Sequence, residues 1–221
     1  MSPTELPKSD VVEAVDRFRQ WADSHYPGQP TDYWVFNFDG WDELHAAVMH
    51  FVENVAMDRW SDEQMHAVLD AIHYDDEHLY LAREIGERRP DLLIPLAKAS
   101  MKPGSGYAAR WQLADQIGRM RDPSPAREEV LLRFAHDEEE YVRRRAIQSL
   151  ARIGSAAAGP LVLKAWSEET DAQQWTRMMT LWVLHRIGSP RLEDLLAQAE
   201  RDQRPHLSEY ARKVRRGEVE A

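Results

Sequence analysis

Leu81-Ala82-Arg83-Glu84-Ile85-Gly86 returns as Leu113-Ala114-Asp115-Gln116-Ile117-Gly118, and in looser form as Leu150-Ala151-Arg152-Ile153-Gly154 and Leu184-His185-Arg186-Ile187-Gly188. The glycines stand 32, 36 and 34 residues apart. A fixed period in this range is the mark of a helical-repeat array. Each phrase reads as the end of a helix stopped by its glycine. Counting back from each glycine, Ile85, Ile117, Ile153 and Ile187 come first, then Ala82, Ala114, Leu150 and Leu184, then Leu79, Trp111, Ile147 and Leu181. These positions fall on one helical stripe, which a lone hairpin cannot bury and a stack of hairpins can.

The units fill in around the glycines. Arg127 to His136 reads as a first helix, Asp137-Glu138-Glu139 as an acidic turn at a helix N-terminus, and Glu140 to Ile153 as a second helix. Pro160 to Ser167 and Gln173 to Ile187 repeat the plan around Asp171. The unit ending at Gly86 has Asp75-Asp76-Glu77 as its turn, and Pro190 to Gly217 reads as a charged capping unit. Residues 1–60 are expected to form an N-terminal cap. It would hold a helix from Asp10 to Ser24, the aromatic stretch Tyr33-Trp34-Val35-Phe36-Asn37-Phe38 as a short strand or extended segment, and a helix from Trp41 to Val55.

In two units the turn aspartate precedes an arginine by six residues, Asp137 with Arg143 and Asp171 with Arg177. With Val142, Ala146, Leu150 and Gly154 this resembles the HEAT repeats, in particular the short HEAT-like units of the PBS-lyase type. Thr176 stands where the family has valine. The resemblance implies that Asp137, Arg143, Asp171 and Arg177 form a structural ladder between neighbouring repeats. The expected fold is all-α, a right-handed superhelix (solenoid) of about five antiparallel helical hairpins, HEAT- or armadillo-like. Repeats would span residues 61–217 after the cap, with 218–221 a short tail.

Composition narrows the function. The 221 residues include no cysteine, which excludes disulfides, thiolate metal sites and a cysteine nucleophile. No apolar run approaches the ~20 residues of a membrane span, and the N-terminus has no signal-peptide pattern, so a cytoplasmic protein without membrane association is expected. Net charge is −10 and uneven: residues 1–118 hold 21 acids against 10 bases, and residues 119–221 hold 17 against 18. An acidic surface repels phosphate backbones and draws basic partners, so a protein partner is expected and nucleic acid is not.

Several residue groups carry candidate chemistry. His66, Asp70 and His73 share a stripe of the Asp62–Tyr74 helix with metal-ligand residue types, beside an apolar face that makes a solvated stripe the plainer reading. The His-Glu dipeptides of HEAT-type iron hydroxylases do not occur. Trp111, Trp166, Trp175 and Trp182 invite comparison with HEAT-like DNA glycosylases, against the acidic charge. The helix holding Trp175 and Trp182 is apolar nearly all round, which suits burial within a stack or, at Trp175 and Trp182, partner anchoring. Asp39, Asp42, Glu43, Asp75, Asp76 and Glu77 form the acidic candidate surface, with Glu53 and Asp58. No catalytic set and no cofactor are expected. The reading is a non-catalytic protein-binding scaffold for a basic partner, of a kind suited to neutralising a basic toxin domain as bacterial immunity proteins do. The rival is a HEAT-like enzyme, a chromophore lyase or DNA glycosylase.

Overall fold

The computed structural model describes residues 11–28, 37–76, 78–102, 106–121, 124–168 and 174–220. Asp171, Glu77 and Tyr33 to Phe36, on which sequence expectations rest, lie outside the described residues. Among the described residues there are twelve α-helices and no strand. The chain forms two compact units, Met1–Met120 and Arg121–Ala221.

The first unit holds α1 (Val11–His25), α2 (Trp41–Asn54), α3 (Asp62–Tyr74), α4 (Tyr80–Arg88), α5 (Leu93–Ser100) and α6 (Tyr107–Arg119). Helices α1, α3 and α5 make one layer and α2, α4 and α6 the other. The stretch before residue 60 thus joins both layers, α1 lying on α3 and α2 on α4. Phe18 of α1 is fully buried and meets Phe38 edge-on at 5.1 Å, Trp41 at 5.4 Å and Tyr74 at 4.6 Å. Ser61 opens α3 with a capping box, its hydroxyl accepting from the Gln64 N–H while the Gln64 side chain accepts from the Ser61 N–H. At the other end of α3, the buried Gln112 amide of α6 donates to the Ile72 carbonyl at 2.6 Å, satisfying one of the orphan carbonyls of a helix end.

The second unit holds α7 (Pro125–Phe134), α8 (Glu140–Arg152), α9 (Ala158–Glu168), α10 (Gln174–Arg186), α11 (Leu192–Glu200) and α12 (Pro205–Arg215). Each consecutive pair is a hairpin, and the second helices α8, α10 and α12 also touch one another in order. Pro125 and Pro205 sit at the first helical position, where a missing N–H costs nothing.

The glycine stops hold in this unit. Gly154, Gly188 and Gly217 have φ of +75°, +62° and +69°. Behind them the N–H groups of Ser155, Ser189 and Glu218 reach the carbonyls of Leu150, Leu184 and Lys213, the double closure of a Schellman motif. Gly86 and Gly118 differ: they lie inside α4 and α6. A side chain at Gly86 would meet the Gln116 side chain of α6, its amide oxygen at 3.1 Å. The stripe is buried at Ile85, Ile117, Ala82, Ala114, Leu150, Leu184 and Leu181 but not throughout. Leu79 is 39% exposed because it precedes α4 in a left-handed conformation, and Ile187 is 40% exposed because it follows the last turn of α10.

Candidate functional site

Helices α2 and α4 run parallel. Trp41 near the start of α2 lies 5.6 Å from the His78 ring, His45 stacks on Tyr80 at 4.7 Å, and at the far end Arg88 donates to Glu53 at 3.1 Å. Between them runs an open groove of about 680 Å³. Trp41, Asp42, His45, Met49 and Glu53 recur along one face of α2 to form one wall, and His78, Tyr80 and Arg88 form the other.

Behind His45 and His78, at one end of the groove, lies Asp75. The sequence places this residue on the acidic surface, but it is fully buried. Its Oδ2 accepts the Leu81 N–H at 2.6 Å, so it caps α4 from the turn. Its Oδ1 lies 3.3 Å from His45 Nε2 and 3.9 Å from His78 Nδ1. The His45 ring is not aligned for a hydrogen bond, and both His45 Nε2 and Asp75 Oδ1 are buried without one. Asp75 is buried because it lies beneath the start of α4, against His45 and His78. Asp137 and Asp202 play a similar part in their turns, accepting from the N–H two residues on, Glu139 at 3.0 Å and Arg204 at 2.9 Å. Asp76, the neighbour of Asp75, is half-buried, and no signal in the sequence separates the two.

Asp39, Asp42 and Glu43 are exposed and enter no ion pair among the described residues. Asp42 and Glu43 occupy the first turn of α2, where the helix dipole favours acids. His66, Asp70 and His73 are not assembled as ligands. Asp70 is paired with Arg19, His66 Nδ1 is 2.6 Å from the Asp62 carbonyl, and the His73 ring lies against the Gly106 backbone. Burial opposes the charge of Arg19, and the carboxylates of Asp16 and Asp70 overcome it, holding the guanidinium firmly protonated.

In the second unit, three of the expected ladder residues, Asp137, Arg143 and Arg177, are described. Arg143 donates to the carbonyls of Asp137 and Glu138, both at 2.7 Å, and so closes its own turn. Arg177 reaches forward to the next hairpin, where Asp202 accepts at 3.2 Å. Arg204 also holds Asp202, at 2.7 Å, and that hydrogen bond is the main cause of a carboxyl kept down at about 2. Thr176, the departure from the family pattern, is buried, and its hydroxyl donates to Glu140 of α8 at 2.6 Å. Arg144 donates to the same Glu140 oxygen at 3.0 Å, so a polar joint links α8 and α10. Trp175 is 51% exposed and stacks on His206 of α12 at 6.0 Å. Trp182 is half-buried, with the guanidinium groups of Arg152 and Arg186 over its ring at 5.7 and 5.6 Å and its N–H donated to the Glu220 carbonyl at 3.0 Å. The apolar surround of α10 therefore divides: Met179, Leu181, Val183 and Leu184 are buried, and Trp175 faces solvent.

Among the described residues no helix is long and apolar enough to cross a membrane. Residues 90–175 match the family model of the HEAT repeats. No curated protein and no solved structure matches the chain.

Proposed function

From the premise that the chain is a HEAT-like repeat protein, matched to that family over residues 90–175, we propose that it is a non-catalytic scaffold that binds a basic protein. HEAT repeats serve generally as surfaces for protein interaction. One observation carries the choice of partner. The unit ending at Met120 holds 21 acids against 11 bases, whereas the unit from Arg121 holds 17 against 17. The whole net charge thus belongs to one unit, which has Asp39, Asp42 and Glu43, without an ion pair among the described residues, at the start of α2. Such a field raises the encounter rate with a positive surface, and exposed aromatic anchors such as Trp175 then hold it. A basic toxin domain has this chemistry.

The test is affinity capture of native partners by the tagged protein at low and at moderate salt. A stoichiometric basic protein, lost as salt rises, is the expected result. Capture of an acidic partner, or of a basic one indifferent to salt, rejects the reading, because attraction between exposed charges is screened within about 10 Å at 0.1 M salt.

A further inference from the structure

We propose that the groove between α2 and α4 is the seat for a lysine- or arginine-bearing segment of the protein partner. This rests on the scaffold reading and narrows it to one place and one kind of side chain. The stretch of α2 from Trp41 to Glu53 is about 18 Å long at the helical rise, room for five or six residues of extended chain.

The surroundings of Asp75 point to a cation there. Asp75 is fully buried and uses Oδ2 for the Leu81 N–H, yet Oδ1 accepts no hydrogen bond. Buried carboxylates are ordinarily hydrogen-bonded on both oxygens, and this one has only the two imidazoles near its Oδ1. The oxygen is directed at His45 and His78, both of which line the groove. A positive group in the groove therefore meets Asp75 across a single layer of imidazole, in surroundings that screen far less than water.

The walls suit the same guest. Tyr80 lines the Asp75 end, and the protein's own Arg83 guanidinium already lies over its ring at 5.8 Å, the kind of contact a guanidinium makes with an aromatic ring. Asp42, free of any ion pair among the described residues, stands at that end. The far end already shows the chemistry in use: the protein's own Arg88 is held between Glu53 at 3.1 Å and Glu84 at 2.8 Å. Leu79, in the left-handed region at φ +54° between His78 and Tyr80, is the strained residue that lets Asp75 reach under α4. Strain of this kind gathers at binding sites.

The probe is a fluorescein-labelled octa-arginine peptide, titrated into the full chain at low salt and read by fluorescence anisotropy. Ala46→Trp fills the groove midway, and Asp75→Asn keeps an acceptor for the Leu81 N–H while removing the charge. Each is expected to weaken binding tenfold or more. Glu63→Gln makes the same change of net charge on exposed α3, away from the groove, and is expected to alter affinity less than twofold. Equal weakening by Glu63→Gln and Asp75→Asn overturns the groove and leaves the scaffold reading standing, since attraction is then diffuse. No binding of the peptide by the wild-type chain overturns both. If circular dichroism shows Asp75→Asn unfolded, Asp42→Asn takes its place beside Ala46→Trp, and unchanged affinity in that pair overturns the groove.

Discussion

Two aspartates of the same type, in the same kind of turn, do different work because of what stands over them. Asp75 lies under the first amides of α4 and caps it. Replacement by alanine strips the Leu81 N–H of its buried acceptor and is expected to cost about 2 kcal/mol, read as a lower midpoint in urea. Asp202 is gripped by Arg204 and reached by Arg177. Its carboxyl titrates at about 2 in the fold against an ordinary 3.8. A depressed carboxylate stabilises above its unfolded value and loses that contribution as pH falls toward the folded one. Stability from Asp202 is therefore present at neutral pH and fades from about pH 4 to about pH 2, by about 1 kcal/mol once solvent screening is discounted. Asp202→Asn should flatten this part of the acid-denaturation curve, and an unchanged slope would count against the pairing. The acidic residues were legible in the sequence. Their burial was not, since charge alone does not tell a cap from a solvated carboxylate.

The recurring glycines show the same division among elements. Gly154 and Gly188 end α8 and α10 with positive φ and open space around them. Gly154→Ala is expected to destabilise by about 1 kcal/mol, because a side chain resists the left-handed region. Gly86 stands inside α4, where alanine is preferred to glycine by about 1 kcal/mol. The tightest contact of the new methyl group is with the Gln116 amide oxygen at 3.1 Å, at the end of a side chain that can move. Gly86→Ala should therefore be neutral or stabilising, and thermal melting of the two variants tests whether one phrase conceals two roles. Helix limits read from the sequence were close: Asp62–Tyr74 is α3 as expected, and Glu140–Ile153 overruns α8 by one residue. The long-range partner of α3 was hidden, because no local pattern announces that Gln112 of α6 will cap it.

At the scale of the molecule, the charge asymmetry follows the boundary between the two units. If the acidic unit steers a basic partner, neutralising Asp39, Asp42 and Glu43 together should slow association several-fold while leaving dissociation nearly unchanged, because unpaired rim charges act mainly on encounter. Stopped-flow association with the captured partner measures this, and an effect confined to dissociation would assign these residues to the contact itself. Trp175 makes the complementary case. Half its surface is open to solvent beside His206. If Trp175 anchors the partner, Trp175→Ala should raise the dissociation rate at least tenfold with little change in stability.

The sequence by itself determined the repeat period, the all-helical class, the glycine stops of the second unit and the concentration of acid in the first. Each is a matter of local spacing or of composition, which a one-dimensional chain carries in full. Only the tertiary structure decided that Asp75 is buried against His45 and His78, that Arg177 reaches Asp202 of the next hairpin, and that α2 and α4 leave a groove between them. Those outcomes depend on helices many residues apart coming into contact. Periodicity tells which face of a helix is apolar, and it is silent on what that face, or the polar residue beside it, will meet.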